Sequence, residues 1–308
     1  MDILKSFLIS FFCVIFITPM AIKFSKNKGI VYSPRQDTMN KSAIPLLCGV
    51  AIFVSVLASI LLKAFLVERA VVVLLSAFIV FTVGLIDDIK KKGSSSCFRF
   101  FAHSLAATII LSAKINFNFF QNQPVNYIIS FLWIVGLTNA FNMLDGLDGL
   151  CSGIAFANAT SLLFMGLFFG QAAVVFLSVA ITGASGGYLF YNFYPARVYL
   201  GSSGSTFLGF ILSIISILAQ KEIGNLSSLP AFLLIFSIPI FDMCMTTYVR
   251  VKNGHVRSIK QWFDYKGKDH IHYRLLNKGL EVKAVVIFFY VIALLLGLVG
   301  LLYAIGIK

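Results

Sequence analysis

The chain has 308 residues, 59% of them hydrophobic and only 12% charged, with a mean hydropathy of +0.92, which excludes a soluble fold and makes it a polytopic membrane protein. Its net charge of +13 sits on basic residues that hug segment ends, so anionic lipid and phosphate substrates are better partners than nucleic acid. The five dispersed cysteines (Cys13, Cys48, Cys97, Cys151, Cys244) lack metal-ligand spacing and read as small apolar residues.

In chain order, the first apolar segment, Ile3–Phe24, reads as a retained span rather than a cleaved signal. Lys23, Lys26 and Lys28 place its C-terminal end at the cytoplasmic face. The loop Gly29–Val50 contains Pro34 and Pro45, and is a linker or a flap over a substrate. Spans follow near Ile44–Val67 and Ala70–Ile86, the latter running into Gly84-Leu85-Ile86-Asp87-Asp88-Ile89-Lys90-Lys91-Lys92. Two acids at a helix C-terminus oppose its macrodipole. Either the lysines compensate, or the pair crowds charge to make a base or hold a metal.

A short span near Phe98–Ala113 carries Arg99 and His103, the histidine reading as an interhelical contact. The next, Tyr127–Phe141, leads into Asn139-Ala140-Phe141-Asn142-Met143-Leu144-Asp145-Gly146-Leu147-Asp148-Gly149. A carboxylate at the bilayer centre costs about 2.5–3.5 kcal/mol, so this stretch belongs at a membrane–water boundary with its acids facing a cleft. Close-packed oxygen ligands in a basic protein suggest a divalent cation and a phosphorylated substrate; a polar helix–helix turn is the simpler alternative.

Ser152–Phe169 and Ala172–Phe190 form a hairpin about Gly170-Gln171, and the pairs Gly166/Gly170 and Gly183/Gly187 have spacing suited to close packing. The run Tyr191–Ser205 is an interfacial aromatic belt with a Gly/Ser turn, or a base-stacking surface with a phosphate-facing turn. Ser205–Ala219 and Leu229–Val249 follow, the second with Pro239 and with Asp242, which is functional or salt-bridged to Arg250. The polar loop from Arg250 to Lys283 holds His255, Trp262, Asp264, Asp269 and His270-Ile271-His272-Tyr273-Arg274. That histidine spacing is not that of a zinc helix and suits a diphosphate. Ala284–Ile307 is the tenth span, and a single membrane domain, 1–308, uses the whole length. All basic residues except Lys5, Lys63, Arg69, Lys114, Lys221 and Lys308 then fall in cytoplasmic loops, with both termini extracytoplasmic. The expected fold is an all-α bundle of about ten transmembrane helices with its active-site cleft on the cytoplasmic face.

GLIDDIKK (84–91), NAFNMLDGLDG (139–149), NFYPARVYLGSSGS (192–205), PIFD (239–242) and DHIHYRL (269–275) occur in the order and spacing of one family. From about Gly29 to about Leu276 the chain resembles the polyprenyl-phosphate N-acetylhexosamine-1-phosphate transferases. Its histidine motif is more similar to the N-acetylglucosamine-type branch than to the muramoyl-pentapeptide branch. The resemblance implies transfer of a sugar-1-phosphate from UDP-N-acetylhexosamine to polyprenyl (undecaprenyl) phosphate with release of UMP. It implies Mg²⁺ (Mn²⁺ as a substitute), surrounding membrane lipid, and a role in starting cell-wall or surface-polysaccharide synthesis; a homodimer is allowed. Carried over residue by residue, Asp87 and Asp88 match the acidic pair, one of which deprotonates or orients the lipid phosphate. Asp145 and Asp148 match nucleotide-site acids, Asp148 standing with the catalytic set. Asn142 matches a metal- or diphosphate-binding position, and Asp88 and Ser202 fall in the metal shell. Asn192 and Tyr199 match uracil-contacting positions; His270, His272 and Arg274 match the diphosphate-binding motif.

The sequence departs from that pattern in three cytoplasmic segments. Ser202 stands where Gly-Asp-x-Gly-Ser has its aspartate, and a hydroxyl brings no negative charge to Mg²⁺. Asp37-Thr38-Met39-Asn40 replaces Arg-Lys-x-His, Cys48-Gly49 replaces paired glycines, and Tyr273 replaces a histidine. Two readings follow: a transferase with a rearranged shell of Asp87, Asp88, Asn142 and Asp148, or a catalytically impaired relative that binds lipid phosphate or UDP-sugar as a regulatory or assembly partner. A secondary transporter is disfavoured, since no inverted repeat is visible and the acids gather on one face rather than at the midplane.

Overall fold

Hydrocarbon offers no partners for backbone N–H and C=O groups, so each apolar run must satisfy them internally, as helix. The computed structural model describes residues 2–32, 44–62, 69–90, 94–224, 226–258, 261–262, 265, 267 and 269–306. Pro34, the Asp37–Asn40 register, Lys91, Lys92 and Asp264 lie outside them. The helices are α1 (Asp2–Asn27), α2 (Gly49–Leu62), α3 (Ala70–Ile89), α4 (Ser96–Ser112), α5 (Gln123–Leu144) and α6 (Leu150–Phe168). They continue as α7 (Ala172–Asn192), α8 (Gly201–Ile223), α9 (Leu229–Ile235), α10 (Ser237–Lys252), α11 (Ile271–Asn277) and α12 (Val282–Gly306). Between α1 and α2, β1 (Val31–Tyr32) pairs antiparallel with β2 (Ile44–Pro45), Val31 opposite Pro45 and Tyr32 opposite Ile44. The expected linker thus carries a short ribbon.

The expected spans fall largely on helix; the second, Ile44–Val67, begins on β2, is helical as α2 from Gly49 to Leu62, and ends outside the described residues. Among the described residues, seven helices are long and apolar enough to cross a membrane, or eight if the bent pair α9–α10 counts as one span, and α2 and α4 are shorter apolar helices. The ninth expected span, Leu229–Val249, is two helices that meet at Phe236 with a bend of 81°. Pro239 has no N–H to give the Ile235 carbonyl, and it falls in the first turn of α10, where that donor is not needed.

Helix α8 is the axis of the bundle. Of its membrane-length window 94% is buried, against 17% for α1 and 33% for α12, as expected of a helix apolar on every side. It packs on α2, α3, α5, α6 and α7. Gly183 and Gly187 bring α7 onto α1, where added Cβ atoms would lie 2.6 Å from the Phe7 carbonyl oxygen and 2.7 Å from that of Phe11. Gly170 is not the packing residue its spacing suggested: it has φ +70° with open space around it, and it forms the α6–α7 turn. Successive helices run up and down, so the ends of α3, α5 and α7 and the starts of α6, α8 and α12 meet at one end of the bundle. The first residues of α1 and the last of α12 lie at the other.

Candidate active site

The acid pair meets the start of α8. Asp88 accepts hydrogen bonds from the Ser202 amide at 2.7 Å, the Ser203 amide at 3.0 Å and the Ser203 hydroxyl at 2.6 Å. Free N–H groups and the positive end of the helix dipole favour an anion there. Gly201 has φ +71°, and a Cβ would stand 2.6 Å from Asp88 Oδ2, so only glycine allows both the turn and the approach. Gly84 of α3 likewise touches backbone, its Cβ position lying 2.6 Å from Ser203 Cα. Asp87 accepts from Arg99 Nη1 at 2.7 Å, the Ser94 amide at 2.5 Å, the Ser94 hydroxyl at 2.8 Å and the Ser202 hydroxyl at 2.6 Å. The conflict between two acids and the C-terminus of α3 is therefore relieved by the neighbouring helix start and by Arg99. His103, on the same helix as Arg99, is buried near Asn139 of α5, but neither ring nitrogen has a hydrogen-bond partner among the described residues, so the hydrogen-bonded interhelical contact expected of it is not formed.

The second acidic stretch is the α5–α6 turn. Asp148 accepts from the Ala196 amide at 2.9 Å, and Asn142 Oδ1 accepts from the Ser205 hydroxyl at 3.2 Å. Asp145, just beyond the end of α5, lies near Asp88, Asp148 and the Gly201 amide. Burial first, then the Asp88 charge, pushes its carboxyl up to about 8. Tyr290 of α12 donates to the Gly149 carbonyl at 2.5 Å, supporting the turn from below. Asn192 is committed to the scaffold: its Oδ1 accepts from Ser152 Oγ at 2.7 Å and its Nδ2 donates to the Val198 carbonyl at 2.9 Å. Tyr199 is half-buried, its amide tied to the Pro45 carbonyl at 3.0 Å and its ring edge-on to Tyr32 with centroids 5.7 Å apart.

Helix α11 docks on that turn. The Tyr273 hydroxyl donates to the Gly146 carbonyl at 2.9 Å, so the residue that departs from the family's histidine supplies the docking bond. His272 Nε2 lies 2.7 Å from where a Gly146 Cβ would be. Burial, seconded by His270 and opposed by Asp242, holds His272 down at about 4, so it is a neutral imidazole at physiological pH. Asp242 does not pair with Arg250, the alternative the sequence left open; its Oδ2 lies 2.7 Å from His270 Nδ1, while Arg250 forks onto Asp269. Arg274 Nε donates to the Asp269 carbonyl at 3.0 Å.

Asp87, Asp88, Asn142, Asp145, Asp148, Ser202 and His272 thus share one end of the bundle, with His270 stacked on His272 and Arg274 tied to the Asp269 carbonyl. Sequence reasoning missed Arg99, Ser94 and Ser203 as partners of the acid pair; a lone arginine at the start of an apolar helix was the available signal. The donor set fits Mg²⁺. It is all oxygen on Asp87, Asp88, Asn142, Asp145, Asp148 and Ser202, with Asp145, raised first by burial and then by the Asp88 charge, beside Asp88 and Asp148. Among the described residues no group of three or more His, Cys, Asp or Glu forms a metal cage. Mg²⁺ needs only one or two carboxylates, with phosphate oxygens and water completing its shell.

Residues 70–220, which hold both acidic motifs and the start of α8, match the family model for glycosyl transferase family 4. The chain is 32% identical over 300 residues to the probable undecaprenyl-phosphate N-acetylglucosaminyl 1-phosphate transferase of Bacillus subtilis (strain 168), covering 94% of this chain and 82% of that one. It is 27% identical to the phospho-N-acetylmuramoyl-pentapeptide-transferase of Staphylococcus saprophyticus, over 96% of this chain and 95% of that one. Its identity to the Staphylococcus aureus (strain Newman) enzyme of the same name is 28%, over 97% of each. Alignments of nearly full length, on a fold whose motifs converge at one end, establish that this chain belongs to glycosyl transferase family 4.

Proposed function

We propose that the chain transfers an N-acetylhexosamine-1-phosphate from a UDP-sugar to polyprenyl phosphate. An oxygen of the lipid phosphate forms a bond to the sugar-bearing phosphorus, the bond from that phosphorus to the bridging oxygen breaks, and UMP leaves. The observation that carries this reading is the gathering of the acid pair, the α8 N-terminus, the α5–α6 turn and His272 at one end of the bundle. Such a transfer needs positioning and charge neutralisation more than covalent chemistry.

Asp88, Asn142 and Ser202 are the groups we assign to Mg²⁺, which when bound neutralises diphosphate charge. Asp87, held by Arg99, and Asp148 orient the acceptor and the transferred phosphoryl group. Asp145 serves the nucleotide, Tyr199 with Tyr32 offers a ring edge and face for the uracil, and Asn192 shapes the loop carrying Tyr199. His272 and Arg274 face the donor diphosphate. The concentration of Lys and Arg in loops at this end supports a cytoplasmic cleft with both termini extracytoplasmic. The higher identity to the N-acetylglucosaminyl relative favours UDP-N-acetylglucosamine as donor.

The test is mass spectrometry of lipid products after purified chain is incubated with undecaprenyl phosphate and a panel of UDP-N-acetylhexosamines, with and without Mg²⁺. A Mg²⁺-dependent polyprenyl-diphosphate-sugar is expected. No product, beside an active B. subtilis relative as control, would replace this reading with a binding role.

A further inference from the structure

The junction of α10 with the segment leading into α11 buries a continuous chain of charged and titratable side chains. Asp242 is 3% exposed, Arg250 4% and His270 7%, an arrangement that is costly unless every group is paired. Asp242 Oδ2 lies 2.7 Å from His270 Nδ1, and its Oδ1 accepts from the Ile271 amide at 3.0 Å. Across the imidazole, Arg250 Nη2 lies 3.3 Å from His270 Nε2. The guanidinium closes on both Asp269 oxygens at 2.7 Å, with the Tyr265 ring centroid 5.0 Å away. A carboxylate only accepts and a guanidinium only donates, so Nδ1 carries the imidazole proton and Nε2 accepts. Both nitrogens of His270 are thus used inside the protein.

His272 is the reverse case. It is 1% exposed, and among the described residues neither ring nitrogen has a hydrogen-bond partner. Its ring lies nearly parallel to that of His270, centroids 5.3 Å apart and planes at 12°, with Nε2 against Gly146.

We infer that Asp242 is a positioning residue for donor binding: with Arg250 and Asp269 it locks His270, and His270 holds the uncommitted His272 imidazole against the Gly146 turn. The two histidines therefore divide the work, His270 as brace and His272 as the group that meets the diphosphate. This deepens the transferase reading and rests on it. Asp242→Asn separates positioning from mere packing, because it keeps the side chain's size and an acceptor for the Ile271 amide. Its N–H group, though, faces His270 Nδ1 and drives the proton to Nε2, where it opposes an Arg250 donor.

The experiment uses the full chain in lipid nanodiscs. In Asp242→Asn the KM for UDP-N-acetylglucosamine rises about tenfold, with the KM for undecaprenyl phosphate within about twofold of wild type, the range in which partners behind a ligating group usually act. Nitrogen-15 NMR of the four histidines, assigned with His270→Gln, shows the Nδ1–H tautomer in wild type and its loss in Asp242→Asn. If Asp242→Asn does not fold, Asp269→Asn at the more open end of the chain carries the same test with a smaller rise. An unchanged tautomer overturns the brace, and a changed tautomer with an unchanged donor KM overturns its role in binding. Wild-type chain inactive with every UDP-sugar overturns the transferase reading instead, while the NMR result still decides the brace.

Discussion

Ser202→Asp restores the acid that the family places at the start of α8. In the native chain the Ser202 hydroxyl donates to Asp87 Oδ2 at 2.6 Å and its amide donates to Asp88 Oδ1 at 2.7 Å. A carboxylate there loses that donor and brings a third negative charge within about 4 Å of Asp87, a repulsion of about 4 kcal/mol at an effective dielectric near 20. Arg99 offsets part of it, and a divalent cation relieves the rest. If metal binding recovers about a third of that energy, the half-saturating Mg²⁺ concentration falls about tenfold. The assay is thermal denaturation of the purified chain across a Mg²⁺ titration, with sugar-phosphate transfer measured on the same samples. The variant melts below wild type without Mg²⁺ and gains more on its addition. An unchanged Mg²⁺ midpoint would show that Ser202 does not face the metal and would refute the reasoning.

Asp88→Asn keeps a good helix cap at α8 but removes a charge, so the protein folds while turnover falls by at least about a hundredfold; retained activity in the transfer assay would refute the site. In Gly146→Ala the new methyl meets His272 Nε2 at 2.7 Å, so the imidazole shifts and the KM for the UDP-sugar rises with little change for the lipid; equal effects on both substrates would contradict the placement. His272 is held at about 4 against an ordinary 6.5, so the unfolded chain takes up the proton first and stability is lost as pH falls from 6.5 through about 4. Melting temperature followed across that window has a shallower slope in His272→Gln, and parallel slopes would remove the histidine as the cause.

Hydropathy made the apolar segments and their rough limits legible, but not how many cross hydrocarbon, since α2 and α4 are shorter than a span needs. It could not show direction, so the 81° bend at Phe236 was invisible, with Pro239 in a helix first turn giving no sign of a break three residues earlier. The acidic motifs were legible as polar interruptions that a bilayer would not tolerate. What they touch was not: Asp88 reaches amides 114 and 115 residues away in sequence. Asp242 and Arg250 looked like a pair, yet eight residues along a helix is about 12 Å, and each instead meets the segment before α11. His270 and His272 are alike in sequence, and only the approach of α10 makes one a brace and leaves the other uncommitted. Asn192 showed the same limit, since its amide is consumed by Ser152 and Val198.

The most direct measurement is release of UMP from UDP-N-acetylglucosamine by purified chain, followed continuously with and without undecaprenyl phosphate and Mg²⁺. UMP that appears only when lipid phosphate and Mg²⁺ are both present, and not with Asp88→Asn, is the result expected of this site. UMP release independent of the lipid, or unaffected by Asp88→Asn, would contradict it.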